Sequence, residues 1–255
     1  MRWRGFGVPA PEFLSTERFA GVSCGLRQTQ SECVRGLIIE SLMVRDGFFY
    51  ALGLGAVAAV LWYLKMPAVL VAVPIVLAAF FLWFFRDPNR TIPQGPGQIV
   101  SPGDGLVTAA EWIETTAGSR LRLSIFLNVF DVHVNRAPVS GIVTAVELRE
   151  GEFLNAMKPE SVLHNEQTLV VIDTGDYSVS FKQIAGLLAR RIVCNVKVGD
   201  RVERGQRVGL IKFGSRVDVL LPAEAELKVK TGVRVRGGSS VLAVVPQTNS
   251  TATVA

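Results

Sequence analysis

The chain has 255 residues, enough for one sizeable domain with an appendage, and 49% of them are apolar, which is high for an enzyme that works wholly in water. A net charge of +5 suits an anionic membrane surface or an acidic substrate, and no Lys/Arg run alternates with aromatics, so nucleic acid is not an expected partner. Cys24, Cys33 and Cys194 have no CxxC spacing, which argues against a disulfide scaffold or a zinc site, and no metal is expected.

Residues 1–42 carry no helical or strand period. Arg2, Arg4, Gly5, Gly7, Pro9 and Pro11 break any regular element, and a poorly ordered extension is expected. Met43 is followed by Val-Arg-Asp-Gly and then an apolar run, so a start at Met43 is a natural alternative. The excess hydrophobicity lies in two uncharged runs, Phe48 to Leu64 and Ala68 to Phe85, divided by Lys65-Met66-Pro67. They predict a hydrophobic helical hairpin within residues 43–90. Both runs sit at the short end of the roughly 17–25 residues that span a bilayer, so spanning and monotopic insertion both stay open. Trp62, Tyr63 and Trp83 lie near run ends, as interfacial anchors do. Arg45 before the hairpin, and Arg86 and Arg90 after it, predict both ends on the cytoplasmic face of the cell membrane.

After a Pro/Gly-rich connector, Pro93 to Gly97, the pattern changes to short apolar stretches bounded by Gly, Pro, Asp and Asn. Strands are predicted at Ile99–Val107 (strand, turn, strand), Leu121–Val129, Gly141–Leu148, Thr168–Asp173 and Tyr177–Gln183. Phe153 to Met157 reads as a short helix or loop, and Ile184 to Val193 is ambiguous. Gly199-Asp200, Arg204-Gly205 and Gly214-Ser215 are turn signals. The fold class expected is mainly β (α+β): a β-rich domain over residues 91–246 with a barrel-sandwich-like C-terminal part, preceded by the hairpin and followed by a disordered tail, 247–255.

Few residues carry chemistry. Asp104, in Ser-Pro-Gly-Asp-Gly, is either a turn aspartate capping its own backbone or a carboxylate that orients an imidazole. In a strand Asp131, His133 and Asn135 would share one face, as a solvent edge or as a wet pocket wall. His164 sits in a polar loop and reads as solvated. No Walker loop, GxGxxG after a strand, HExxH or GxSxG is present. Gly214-Ser215, between an apolar run and an alternating one, reads on its own as a turn.

Taken together, ordered segments resemble the phosphatidylserine decarboxylase proenzymes in their short form. They are Phe84-Phe85-Arg86-Asp87-Pro88, Ser101 to Gly105, Phe126 to Arg136, Asn165-Glu166, Gln183-Ile184-Ala185-Gly186, Ala189 to Val193 and Phe213-Gly214-Ser215, within residues 43–245. The resemblance implies that Ser215 Oγ attacks the Gly214 carbonyl, and that elimination and hydrolysis leave a covalently bound pyruvoyl group in place of Ser215. Two chains result, one ending at Gly214 and one of residues 215–255, held as a heterodimer; further oligomerisation is left open. The ketone then condenses with the amine of phosphatidylserine as a Schiff base, and loss of carbon dioxide gives phosphatidylethanolamine. His133 is the expected base and proton donor, and Asp104 the carboxylate that orients it. Gln183, Ala185 and Gly186 fall to substrate binding. Longer bacterial members carry a second histidine where this chain has Arg136. Either His133 serves both steps, or Arg136 stabilises an oxyanion while another group acts as base; Arg136 is alternatively a ligand for the lipid phosphate or the serine carboxylate. An ether-linked archaeal analogue of the lipid is also allowed.

A reading of a different class competes. Val196 to Gly209 resembles the β-sandwich of biotinyl and lipoyl carriers and of membrane-fusion adaptors, with Lys212 as the residue to be modified. Lys212 lacks the usual Met or Ala neighbours and stands next to Phe213-Gly214.

Overall fold

A computed structural model describes residues 45–115, 118–152, 164–186, 192–211 and 214–246. The expectations for residues 1–42, for Phe153 to Met157 and for the tail from 247 lie outside these residues.

Two helices open the described chain, α1 (Arg45–Tyr63) and α2 (Ala68–Phe84). Both are runs of Ala, Val, Leu and Phe with no charge after the first turn of α1, where Asp46 sits at the favourable end of the dipole. The turn between them is tight: Lys65 takes a left-handed φ of 56°, and Met66 N–H bonds back to the Leu61 carbonyl at 3.0 Å. Pro67 then starts α2, where a missing N–H costs nothing. The helices approach closely near their open end, where a Cβ on Gly47 would lie 2.8 Å from that of Phe85. Very little else of the hairpin is covered. Leu52, Trp62, Val69 and Val76 are all more than half exposed, and only Gly47, Ala58, Pro74 and Phe84 are buried within the two helices. By length and composition α1 is long and apolar enough to cross a membrane, and α2, at 17 residues, is shorter.

The remainder is β. The strands are β1 (Gln98–Val100), β2 (Gly105–Thr115), β3 (Gly118–Leu127), β4 (Val134–Arg136), β5 (Gly141–Arg149), β6 (Gln167–Asp173) and β7 (Ser178–Ile184). They continue with β8 (Ile192–Cys194), β9 (Arg201–Val202), β10 (Arg207–Ile211), β11 (Ser215–Leu221), β12 (Glu226–Leu227), β13 (Arg234–Val235) and β14 (Val241–Val244). A curled eight-stranded sheet has the order β13-β2-β3-β11-β7-β6-β5-β9, and two three-stranded sheets, β4-β10-β8 and β1-β14-β12, complete the domain. All the strand pairs are antiparallel. The fold is therefore mainly β behind a helical pair, as the sequence pattern predicts.

The sheet builds its core by alternation. Leu121, Leu123, Ile125 and Leu127 of β3, Val179 and Phe181 of β7, and Val217, Val219 and Leu221 of β11 are all buried in one cluster. The register sets Ser215 opposite Leu127 and Val217 opposite Ile125. Ser215 thus continues the inward-facing row Val217-Val219-Leu221, and its side chain is fully buried. β11 lies in the middle of the large sheet, hydrogen-bonded to β3 on one side and β7 on the other. A smaller cluster of Phe84, Phe85, Val132, Val134 and Leu210 joins the base of the hairpin to β4 and β10.

Candidate active site

Gly214 and Ser215 lie at the entrance to β11. Gly214 has φ +59°, a left-handed conformation that strains any residue with a side chain, although a Cβ there would meet nothing within 4 Å. Glycine is thus required here by backbone conformation, not by space. The next residue starts the strand, and Ser215 Oγ is buried with no hydrogen-bond partner among the described residues. An orphaned buried hydroxyl costs about 1–3 kcal/mol, so an arrangement that keeps one calls for a reason beyond packing.

His133 supplies the neighbouring group. The expectation that Asp131, His133 and Asn135 line one face of a strand is only partly met, because β4 begins at Val134 and residues 128–133 form a turn and a loop. His133 is 1% exposed, and its Nδ1 lies 2.9 Å from the Asp131 carbonyl. A carbonyl can only accept, so Nδ1 carries the proton and Nε2 keeps its lone pair. That lone pair accepts the Gly214 N–H at 3.3 Å. Phe84 packs on the imidazole with ring centroids 4.5 Å apart. Desolvation in this apolar setting pushes the His133 pKa down to about 4, against a smaller opposing pull from the Asp131 carbonyl and carboxylate. The imidazole is therefore neutral at neutral pH, a weaker base than an exposed histidine but with its Nε2 lone pair unprotonated.

Asp104 does not meet His133. Its carboxylate accepts two hydrogen bonds from Arg90, at 2.8 and 3.0 Å, and one from the Gly237 N–H at 2.8 Å. Burial raises its pKa, and the Gly237 N–H and Arg90 pull it back. The group that holds the His133 tautomer is instead the backbone carbonyl of Asp131. Asp104 ties the connector after the hairpin, through Arg90, to the segment that follows β13.

Arg136 is also turned elsewhere. Its guanidinium donates to Asp87 at 2.6 Å and to the Gly205 carbonyl at 3.0 Å, and Arg207 approaches the same Asp87 carboxylate. The phosphate-binding or oxyanion role assigned to Arg136 would compete here with a buried carboxylate that needs its charge.

The other sequence candidates line the interior. Gln183 Nε2 donates to Asn135 Oδ1 at 2.8 Å, while Gln183 Oε1 is a second buried oxygen with no partner among the described residues. Ala185 and Gly186 are buried, and the Ala185 carbonyl accepts from Asn165 Nδ2 at 2.7 Å. Gln183 and Ser215 share the inner face of adjacent strands, since Gln183 pairs with Val217. His164 is exposed, as expected, but its backbone is helical and not that of the loop expected from sequence. Lys212 lies outside the described residues, and no cluster of metal-ligating side chains occurs among the described ones. Sequence reasoning missed Phe84 and the Asp131 carbonyl. The Phe-Phe pair ahead of Arg-Asp-Pro was a visible signal for the first; no side-chain pattern signals the second.

The family profile described as phosphatidylserine decarboxylase matches residues 77–243, which contain every site residue named above. A phosphatidylserine decarboxylase proenzyme of Solibacter usitatus is 51% identical over 202 residues, covering 79% of this chain and 96% of that protein. The proenzyme of the same name from Symbiobacterium thermophilum is 45% identical over 212 residues, covering 81% and 97%. That of Burkholderia multivorans is 45% identical over 174 residues, covering 67% and 81%. With a match of this extent running from the base of the hairpin through the last strand, the chain belongs to the phosphatidylserine decarboxylase family, a family of enzymes.

Proposed function

We propose that the protein decarboxylates phosphatidylserine to phosphatidylethanolamine by way of a pyruvoyl group made from its own Ser215. The observation that carries this reading is the meeting of three features at one bond: a left-handed Gly214, an unpartnered buried Ser215 Oγ, and a neutral imidazole whose free nitrogen rests on the Gly214 N–H. Self-cleavage begins when His133 Nε2 exchanges that N–H for the Ser215 hydroxyl and takes its proton. Oγ attacks the Gly214 carbonyl carbon, the C–N bond breaks, and the Ser215 nitrogen takes up a proton, giving an ester. Loss of the Ser215 α-proton and of the Gly214 carboxylate leaves dehydroalanine, and water releases ammonia from it.

The residues present fit the group so formed, because position 215 is fully buried at the start of β11, its oxygen has no partner among the described residues, and His133 Nε2 lies on the adjoining Gly214 N–H. When present, the pyruvoyl group supplies an electrophilic ketone and a sink for the electron pair left by carbon dioxide. The chain's own residues do the rest. Phe84 shields the imidazole from water, Gln183 offers its free Oε1 to a substrate N–H, and His133 returns a proton to the carbon that lost its carboxylate. The newly made carboxylate of Gly214, an anion beside the imidazole, favours the charged form that a proton donor needs.

The 215–255 piece stays bound as the smaller half of a heterodimer, since its first strand, β11, pairs on both edges. The exposed apolar surface of α1 and α2 seats the protein in the cell membrane from the cytoplasmic side, bringing the site to its lipid. Intact mass and a denaturing gel of the purified protein test the reading. The expected result is two pieces, the smaller starting at position 215 with a blocked, hydrazide-reactive terminus. An uncut chain with decarboxylase activity overturns the pyruvoyl mechanism.

A further inference from the structure

Where the hairpin meets the sheet, two exposed aromatic rings lie side by side. Phe130 is 69% exposed and Trp83 41%, with ring centroids 6.0 Å apart. Phe130 does not hang from a loose loop. The Asn128 side chain accepts the Phe130 N–H at 2.8 Å, the Asp131 carboxylate accepts the Asn128 N–H at 2.9 Å, and the Asp131 N–H bonds to the Asn128 carbonyl at 3.0 Å. This closed turn holds the ring outward. Arg86 lies over the Trp83 ring at 4.2 Å and donates to the Phe130 carbonyl at 2.7 Å. Arg234 pairs with Asp131 while its side chain stays 57% exposed.

A single exposed apolar side chain is ordinary and needs no explanation. This one differs in its continuity: Trp83 belongs to the last turn of α2, so the patch extends the apolar hairpin surface onto the catalytic domain. Aromatic rings flanked by guanidinium groups match the headgroup level of a bilayer, where an amphipathic ring and a cation are both satisfied. We propose that the Asn128–Asp131 turn is a second membrane contact, with Phe130 and Trp83 in the interfacial layer and Arg86 and Arg234 facing anionic lipid. This rests on the membrane reading of the hairpin given above. The same turn carries the carbonyl that holds His133, so seating Phe130 in the lipid sets the imidazole at headgroup depth.

A nitroxide placed by Phe130→Cys tests this in the full chain, with Cys24, Cys33 and Cys194 changed to Ser. The reference is a second label at the exposed Thr144. On vesicles containing phosphatidylserine, the label at position 130 is expected to be shielded from an aqueous nickel chelate and open to oxygen, and the label at 144 the reverse. Equal nickel access at both positions overturns the proposal, as does shielding of position 130 without vesicles, which would mean that a second copy covers the patch. Kinetics give an independent arm. Phe130→Ser is expected to raise the apparent KM on vesicle lipid about fivefold while leaving turnover of dispersed short-chain phosphatidylserine within about twofold. Equal loss on both substrates, or none on either, contradicts it. If the unaltered protein releases no carbon dioxide from either substrate, the decarboxylase reading fails, and the labelling result still decides the membrane contact.

Discussion

Two buried polar clusters on neighbouring elements are handled in opposite ways. At the base of the hairpin, Asp87 lies between Arg136 and Arg207, so a buried anion faces two cations. In the large sheet, Ser215 Oγ and Gln183 Oε1 are buried with no partner among the described residues, and the imidazole of His133 is kept neutral. The first cluster is charged and matched; the second is neutral and unmatched. A matched cluster holds geometry, because any exchange of partners would strand a charge. An unmatched one keeps bonding capacity in reserve for a reacting group. Arg136, expected from sequence to serve the site, belongs in this arrangement to the matched cluster, held by Asp87 and the Gly205 carbonyl.

The largest effects are expected from the unmatched cluster. Ser215→Ala removes the nucleophile, so the chain should stay whole on a denaturing gel and release no labelled carbon dioxide. Splitting of that variant at the same bond contradicts the assignment. His133→Ala removes the base and should slow self-cleavage by about 10²–10⁴-fold, with uncut chain accumulating in a time course after synthesis. A rate within tenfold of the parent would transfer the base role to another group. Ser215→Ala should keep the parent's thermal midpoint or exceed it, since it removes a buried hydroxyl with no partner among the described residues, whereas His133→Ala should lower it, since it empties a packed site and strands the Asp131 carbonyl.

The matched cluster should behave the other way round. Asp87→Ala leaves Arg136 and Arg207 facing each other without an anion, and about 3–5 kcal/mol of stability should be lost. On a Ser215→Ala background, which keeps one uncut chain, this reads as a lower thermal midpoint in detergent. Adding Arg136→Met should restore part of the loss, because the stranded charge goes with its partner. If Asp87→Ala instead abolished cleavage at an unchanged midpoint, the cluster would belong to the chemistry and the contrast would collapse.

Much of the architecture was legible because it follows from period. The alternation Leu121-Leu123-Ile125-Leu127 and the run Ser215-Arg216-Val217-Asp218-Val219 both fold as strands, the second buried on both faces because Arg216 and Asp218 pair with each other on its polar side. The uncharged runs on either side of Lys65-Met66-Pro67 were legible as helices from their length and uniform apolarity, not from period. The site was legible only as a set of residue types in family order. Asp104 was assigned to His133 because a carboxylate commonly orients an imidazole, yet its partner is Arg90, in a connector without regular structure. The group that does orient His133 is a backbone carbonyl, which every residue possesses and no sequence pattern marks. The Asp87–Arg136 pair joins positions far apart in sequence through contacts that only the folded β4 creates.

The smallest expected effect is also the most discriminating, because it separates the two jobs given to one imidazole. Self-cleavage needs His133 neutral. With its pKa pushed down to about 4, the neutral form is present throughout the neutral range and is lost only as pH falls through that value. The cleavage rate should therefore be flat from about pH 8 to pH 5 and decline below, whereas an unshifted histidine would lose activity from about pH 6.5. Stability runs in the same direction. The unfolded chain takes up this proton near pH 6.5 and the folded one near 4, so between those values the unfolded state binds more protons and acid weakens the fold. The proposed cleavage would leave the Gly214 carboxylate beside the ring, and an adjacent anion raises an imidazole pKa. Turnover by the processed enzyme should then show its His133-dependent limb at higher pH than cleavage does. Phe84→Ala should draw the two profiles together, because it admits water to the ring and relieves the desolvation that holds the cleavage value low. Coincident profiles in the parent protein would mean that the imidazole keeps one environment before and after the bond is cut, and that the proton returned to the product comes from elsewhere.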